Sequence, residues 1–305
     1  MPRLPPAEKL PLAARKNLRD EWDNKKEEAE KKLSELLGVA WTVEVDPKAL
    51  FPYAEEGSYG NHSPGNLIYE YIEGAQSQLS YIFGREGGEI YKNDLNELAP
   101  AHVITFDYTD DSTIYYNGAV INEQGQLVIV FRENALGTNI SSALEEGKLK
   151  KALQNAPSTK PLNFHARLSI AEDYAPKIAE LQDKYGKLLK TDITLNNNAE
   201  ANFAKLNGAE GIDSDWDSGF GRNLYSYFEG LYSQLEYNKF GSDDMLQEAL
   251  LEEVSSKKIE IRVLDEIKSS YHEVAIEDGI LYIQTSPKKW GVNTSYAGEK
   301  IMDLL

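Results

Sequence analysis

One tyrosine-rich segment occurs twice in the chain, and this repeat constrains the fold more than any other feature. Residues 65–81 overlay residues 221–237 without a gap, and nine of the seventeen positions are identical. A G-x-N-x-S-x-A-x-E pattern recurs downstream, at Gly137 and Gly291, and apolar positions recur upstream. Three matches in the same order, at shifts of 156, 154 and 152 residues, predict tandem duplication of a module of about 150 residues.

The segment 154–164 is the predicted linker between the two modules. It holds two prolines and little periodicity, which is typical of a connecting segment. Module 1 then covers residues 1–153 and module 2 covers residues 165–305. Two copies of one module predict an internal pseudo-twofold relation.

Each module reads as α-β-α-β-β-β-α, which predicts an α+β fold with helices packed on mostly antiparallel sheets. Apolar residues at helical spacing predict the first helix, and in module 2 Ser169 and Glu172 match a capping box at its start. A short strand, the repeated helix and three strands follow. Asp278-Gly279 is a typical hairpin turn between the last two strands of module 2. A final helix is expected near Asn139 and near Asn293.

In the repeated helix, the identities concentrate outside the apolar stripe that faces the core. The identical flanking residues of the two copies are Tyr69, Tyr71, Glu73, Gly74, Ser77, Gln78 and Tyr81, and Tyr225, Tyr227, Glu229, Gly230, Ser233, Gln234 and Tyr237. Glycine inside a helix costs about 1 kcal/mol relative to alanine. Gly74 and Gly230 therefore predict the close approach of another backbone or of a ligand.

Two interpretations of these flanks are open. In the structural one, the flank packs on the long N-terminal helix or on the other half, and its Tyr and Gln groups hydrogen-bond backbone there. In the functional one, the flanks form a ligand or partner surface, or line a pocket in each half. Glu73 and Glu229 are then the candidate catalytic acids or bases, because neighbouring tyrosines can lower the local polarity.

An aspartate-rich run precedes the second copy of the helix. Asp213, Asp215 and Asp217 alternate as in a calcium-binding loop, but Ser218 replaces the required glycine and Leu224 stands at the twelfth position. A solvated loop before a helix N-terminus explains the run better, because acids are favourable there. No metal and no other cofactor is expected.

Composition narrows the function further. A net charge of −18 disfavours nucleic acid as a partner and favours a basic protein. The absence of cysteine fits a reducing compartment, so a cytoplasmic location is expected, and no apolar run approaches the ~18 residues that span a membrane. The sequence predicts a non-catalytic interaction protein with two equivalent lobes, of the inhibitor or immunity type. The alternative is an enzyme or small-molecule binder with a Tyr/Glu/Gln pocket in each lobe.

Overall fold

A computed structural model describes residues 3–305. The chain divides into two compact units, unit 1 ending at Ser158 and unit 2 beginning at Thr159. Each unit holds one four-stranded sheet and several helices, so the fold is α+β. The tandem duplication and its pseudo-twofold relation stay predictions.

The elements of unit 1 begin with two helices separated by a π-helical turn at Arg19–Asp23. In chain order the helices and strands are α1 (Leu12–Leu18), α2 (Lys26–Leu37), β1 (Thr42–Val43), α3 (Pro47–Leu50), α4 (Tyr59–His62), α5 (Pro64–Phe83), α6 (Gly88–Leu98), β2 (Val103–Tyr108), β3 (Asn117–Ile121), β4 (Leu127–Phe131) and α7 (Glu146–Asn155). A 3₁₀ turn at Ile140–Ser142 lies between β4 and α7.

Unit 2 repeats most of this order and also has a π-helical turn, at Ile170–Tyr174. Its helices and strands are α8 (Phe164–Ser169), α9 (Ala175–Leu189), β5 (Thr194–Asn196), α10 (Ala199–Leu206), α11 (Phe220–Tyr237), α12 (Asp244–Glu253), β6 (Lys258–Val263), β7 (Glu273–Glu277) and β8 (Ile280–Thr285). Three 3₁₀ turns follow β8, at Pro287–Lys289, Thr294–Tyr296 and Ile301–Leu304.

The two sheets share one strand order, β1-β2-β4-β3 in unit 1 and β5-β6-β8-β7 in unit 2. The expectation of mostly antiparallel sheets is wrong, because each sheet has two parallel pairs and one antiparallel hairpin. The first parallel pair arises because helices connect β1 to β2 and β5 to β6 as a crossover. The second parallel pair arises because the last strand of the hairpin, β4 or β8, and not the first, lies beside β2 or β6.

Three local predictions also differ from the structure. Ser169 does not cap the start of its own helix, because it is the last residue of α8, whose capping residue is Asn163. Residues 88–98 and 244–253 lie between the repeated helix and the first of the three predicted strands, and they form α6 and α12, which the predicted order of elements does not include. The helix expected near Asn139 begins only at Glu146, after a 3₁₀ turn, and the helix expected near Asn293 does not form, because only 3₁₀ turns follow that residue.

The central helices α5 and α11 form much of the core of their units. Ile68, Ile72 and Leu79 are almost fully buried in α5, as are Leu224 and Phe228 in α11. Each such side chain contributes about 1.5–3 kcal/mol through removal from water. This burial fixes the rotation of each helix and decides which residues meet the rest of the unit.

Candidate functional site

Tyr71 and Tyr227 lie at corresponding places on the central helices and are both buried. The Tyr71 hydroxyl accepts a hydrogen bond from the Gly137 N–H at 3.1 Å, and the Tyr227 hydroxyl accepts one from the Gly291 N–H at 2.9 Å. Burial raises the pKa of Tyr71 and raises that of Tyr227 to about 12. Both phenols therefore stay neutral at physiological pH and hold the chain that follows the last strand.

The helix glycines complete this contact. A Cβ atom at Gly74 would lie 2.8 Å from the Ser141 Cα, and one at Gly230 would overlap the Thr294 carbonyl oxygen. The predicted close approach of another backbone is confirmed at both glycines. The backbone that packs there belongs to the 3₁₀ turn Ile140–Ser142 in unit 1 and to the 3₁₀ turn Thr294–Tyr296 in unit 2.

The glutamine side chains hold the same turn from the other side. Gln78 Nε2 donates to the Ser141 carbonyl at 3.1 Å, and Gln234 Nε2 donates to the Ser295 carbonyl at 3.2 Å. This flank therefore packs on the 3₁₀ turn of its own unit, and not on the N-terminal helix as the structural interpretation expects. Its polar groups are engaged with backbone.

Four other identical residues of each helix lie outside this contact, four positions apart. We call them the shared stripe: Tyr69, Glu73, Ser77 and Tyr81 in unit 1, and Tyr225, Glu229, Ser233 and Tyr237 in unit 2. The first tyrosine of each set is half-buried and the other three residues are exposed. Tyr81 is 64% exposed and Tyr237 is 81% exposed, so neither is placed by the core.

Lysines from the preceding helical segments frame the stripe in the same way in both units. Lys25 Nζ lies 4.8 Å from the Tyr69 ring centroid, and Lys177 Nζ lies 5.6 Å from that of Tyr225. Burial and a hydrogen bond to Glu73 raise the pKa of Tyr69. Tyr69 and Tyr225 therefore face lysines of the N-terminal helical segments of their own units.

The same causes act in unit 2, where burial and the charge of Glu229 raise the pKa of Tyr225. Glu73 and Glu229 are themselves exposed, so water solvates both carboxylates. A depression of about 460 Å³ beside Gly74 is lined by Glu70 and Glu73. These surroundings can offer hydrogen bonds, charge and an aromatic surface to a partner.

Two ion pairs at the edge of the stripe correspond as well. Lys32 pairs with Glu28 at 2.8 Å, and Lys184 pairs with Glu180 at 2.9 Å. The sequence prediction missed these lysines and glutamates. They share the 152-residue shift of the upstream match, which was the available signal.

The three aspartates of the acidic loop do not converge. Asp217 accepts a hydrogen bond from Asn163 Nδ2 at 2.6 Å and lies 3.5 Å from His165, whereas Asp213 and Asp215 are exposed. Burial raises the pKa of Asp217, but the hydrogen bonds from His165 and Asn163 outweigh it and hold that pKa below its ordinary value. Within residues 3–305, no three His, Cys, Asp or Glu side chains are placed to hold a metal ion together.

A search for membrane-spanning helices and comparisons with known proteins give no further indication of function. Across residues 3–305, no helix has both the length and the apolar character needed to cross a membrane. Comparison with family models, curated proteins and solved structures finds no match. The functional argument therefore rests on the geometry of the two units.

Proposed function

We propose that the protein is a non-catalytic binding protein that presents the shared stripe once on each unit to a protein partner. The observation that carries this proposal is identity at exposed positions. The packing of the 3₁₀ turn explains why Tyr71, Gly74 and Gln78 are retained, but Tyr81 and Tyr237 make no such contact and are still identical.

Exposure alone does not account for the identity. Ser80 and Glu236 are exposed at corresponding positions of the same helices, and they differ between the units. Large exposed tyrosines suit a protein interface, because a rigid amphipathic ring buries much area at low entropic cost. A stripe that alternates tyrosine with glutamate and serine adds hydrogen bonding and charge.

The expected partner carries positive charge, and the expected location is the cytoplasm. The net charge of −18 and the exposed Glu73 and Glu229 favour a basic surface through long-range attraction. A chain without cysteine suits a reducing compartment. An inhibitor or immunity protein against a basic target has these properties.

Two equivalent stripes predict bivalent binding. A partner that contacts both units, or a partner with two copies of its own site, gains avidity without any new kind of contact. Loss of one stripe then weakens binding, and loss of both removes it.

The test changes exposed residues only. One variant carries Glu73→Gln and Tyr81→Ser, a second carries Glu229→Gln and Tyr237→Ser, and a third carries all four changes. Capture from native lysate with chemical cross-linking identifies the partner of the unmodified chain, and its purified form is then titrated against each variant. We expect about tenfold weaker binding for each single-unit variant and no measurable binding for the third.

The matched control exchanges Ser80 and Glu236 between the units, which alters two exposed positions of the same helices and leaves the net charge unchanged. This control should bind as the unmodified chain does. Equal binding by the four-residue variant, or equal loss in the control, would show that the stripe is not the binding surface.

A further inference from the structure

In unit 1, a lysine of α7 sits in a set of acceptors beside the 3₁₀ turn. Lys148 Nζ donates to Asn117 Oδ1 at 2.8 Å and to the Ser142 carbonyl at 2.9 Å. The Glu145 carboxylate lies 3.4 Å from the same ammonium. These groups satisfy the charge of Lys148 where α7 packs on β3.

The groups around Ile140–Ser142 in unit 1 have counterparts around the 3₁₀ turn Thr294–Tyr296 in unit 2. Asn117 Nδ2 donates to the Asn139 carbonyl at 3.0 Å, and His272 Nε2 donates to the Asn293 carbonyl at the same distance. Each side chain also neighbours the buried tyrosine of its central helix, as shown by the 6.4 Å between the rings of His272 and Tyr227. His272 is therefore the counterpart of Asn117.

The turn itself corresponds in the same way. The Glu145 N–H donates to the Ser142 carbonyl at 3.2 Å, and the Glu299 N–H donates to the Tyr296 carbonyl at 2.9 Å. Glu299 and Tyr296 are therefore the counterparts of the other two groups that hold the ammonium of Lys148.

No cation of residues 3–305 pairs with these groups in unit 2. Because a carbonyl can only accept, His272 Nε2 is the donor of this hydrogen bond, and in the tautomer with its proton on Nε2 the other ring nitrogen, Nδ1, is an acceptor. Within the described residues, the Glu299 carboxylate has no ion pair, and the Tyr296 carbonyl accepts only from the Glu299 N–H. All three groups line or adjoin a cavity of about 570 Å³.

The neighbouring strand is also less covered in unit 2. Asn117, Gly118 and Ala119 of β3 are buried, and Leu149 and Leu153 are buried on α7. The counterpart β7 has no buried residue, and its Val274 lines the cavity together with Tyr271. The 3₁₀ turn at Ile301–Leu304 contacts β7.

We propose that this cavity on unit 2 docks an amphipathic helix of a partner protein, and that a lysine in the first turn of that helix enters the acceptors His272, Tyr296 and Glu299. The occupant is inferred from α7, which presents the same chemistry to the corresponding acceptors of unit 1. An apolar face of the helix would cover Val274 and Tyr271, as Leu149 and Leu153 face the interior in unit 1. The proposal concerns a different surface from the shared stripe, so either can fail without the other.

Two lysines at the cavity refine the expected partner. Lys268 and Lys300 line the same space and are exposed. Their charge opposes a helix that is basic on all sides. The docked helix therefore combines its lysine with acidic residues, as α7 does through Glu146 and the preceding Glu145.

The probe for the test is a peptide with the sequence of residues 142–156, added to the full chain and followed by NMR. We expect binding that perturbs the resonances of Tyr271, His272 and Tyr296. A peptide with the Lys148→Met change should bind about tenfold more weakly, as should the protein variant Glu299→Gln with the unchanged peptide. Because a short peptide is marginally helical, a side-chain cross-linked version is titrated in parallel.

Protein variants at His272 distinguish specific binding at this site from nonspecific binding of the peptide. His272→Asn should keep the preference for the lysine peptide, because asparagine performs this role in unit 1, and His272→Leu should lose it. The proposal is overturned if the cross-linked peptide does not bind at millimolar concentration, or if the lysine and methionine peptides bind equally. Perturbation confined to β3 would equally overturn it, since the peptide would then be replacing α7.

Discussion

In both units a 3₁₀ turn packs on the central helix, Ile140–Ser142 on α5 and Thr294–Tyr296 on α11. The units differ in what covers the edge strand of the hairpin, β3 or β7. In unit 1, α7 packs on β3 and its Lys148 hydrogen-bonds the turn. In unit 2, β7 borders an open cavity. At the contact that both units make, Tyr71, Gly74 and Gln78 are identical to their counterparts, whereas Asn117 and His272 differ where only unit 1 has the neighbouring α7.

The largest expected effect comes from breaking the contact that the units share. Gly230→Ala places a methyl group against the Thr294 carbonyl, and Gly74→Ala places one 2.8 Å from the Ser141 Cα. We expect the free energy of unfolding to fall by about 2–3 kcal/mol for the first change and by about 1–2 kcal/mol for the second. Chemical denaturation, with hydrogen exchange to assign each transition to its unit, measures both.

The control for this prediction is Gly147→Ala in α7. Apart from the adjoining backbone of α7 itself, no atom lies within 4 Å of the added methyl group, and alanine favours the helix by up to about 1 kcal/mol. Its stability should be unchanged or raised. If Gly230→Ala proves as stable as this control, the turn does not pack on the helix as described.

A smaller effect should expose the difference between the units. Asn117 is 1% exposed, and it hydrogen-bonds two backbone carbonyls and Lys148, so Asn117→Ala should destabilise unit 1 by about 1.5–3 kcal/mol. His272→Ala removes one hydrogen bond at a partly exposed site, and the loss should be about 1 kcal/mol or less. Equal losses in thermal or chemical unfolding would mean that the covered and open strands are not energetically different.

The smallest effect concerns pH and the attachment of α7. A hydrogen bond from Arg85 is the main cause that lowers the pKa of Glu146, and Tyr91 donates a second one at 3.0 Å. A carboxyl whose pKa is lowered by folding stabilises the folded state above its unfolded pKa of about 4.3, and this contribution is lost as the pH falls through the lower folded value. The protection factors of the α7 amides, which correct for the slower intrinsic exchange at low pH, should therefore fall below about pH 4 more than those of α5.

The variant Glu146→Gln serves as the reference, because glutamine cannot titrate. Its α7 amides should exchange faster at neutral pH and show a weaker acid dependence. An unchanged pH profile in the variant would mean that Glu146 does not anchor α7.

The α+β fold and the close approach at Gly74 and Gly230 could be predicted because both leave local signals. The strand order could not, because pairing between β2 and β4 depends on residues that are far apart in the chain. One signal of it was nonetheless present. All five residues of β4, Leu127–Phe131, are apolar and buried, and such a run is typical of a central parallel strand rather than a hairpin edge.

Ser169 matches a capping-box pattern in the sequence, but it caps a different helix from the one that the pattern predicts. Its side chain fits a capping box in the sequence, but in the structure Ser169 Oγ accepts the Gly221 N–H at 3.0 Å, at the start of α11. Asn17 Oδ1 accepts the Gly65 N–H at 2.7 Å in the same way. A side chain from an earlier helix therefore satisfies the helix N-terminus, which no pattern of neighbouring residues can reveal.

The candidate surfaces were predictable to different degrees. The stripe residues follow from sequence identity, and so could their framing by Lys25 and Lys177. The cavity on unit 2 left no such signal, because asparagine and histidine share little chemistry, and their correspondence appears only through the carbonyls they contact.

The strand order also has a consequence for how the chain is made. In each unit the last strand synthesised, β4 or β8, takes a central position between two strands that are already present. Until that strand emerges from the ribosome, the crossover strand and the first hairpin strand lack their shared neighbour and expose unpaired backbone. Such edges favour pairing with other chains. The interval before β4 and the interval before β8 are thus two stages of synthesis at which unpaired strand edges favour aggregation.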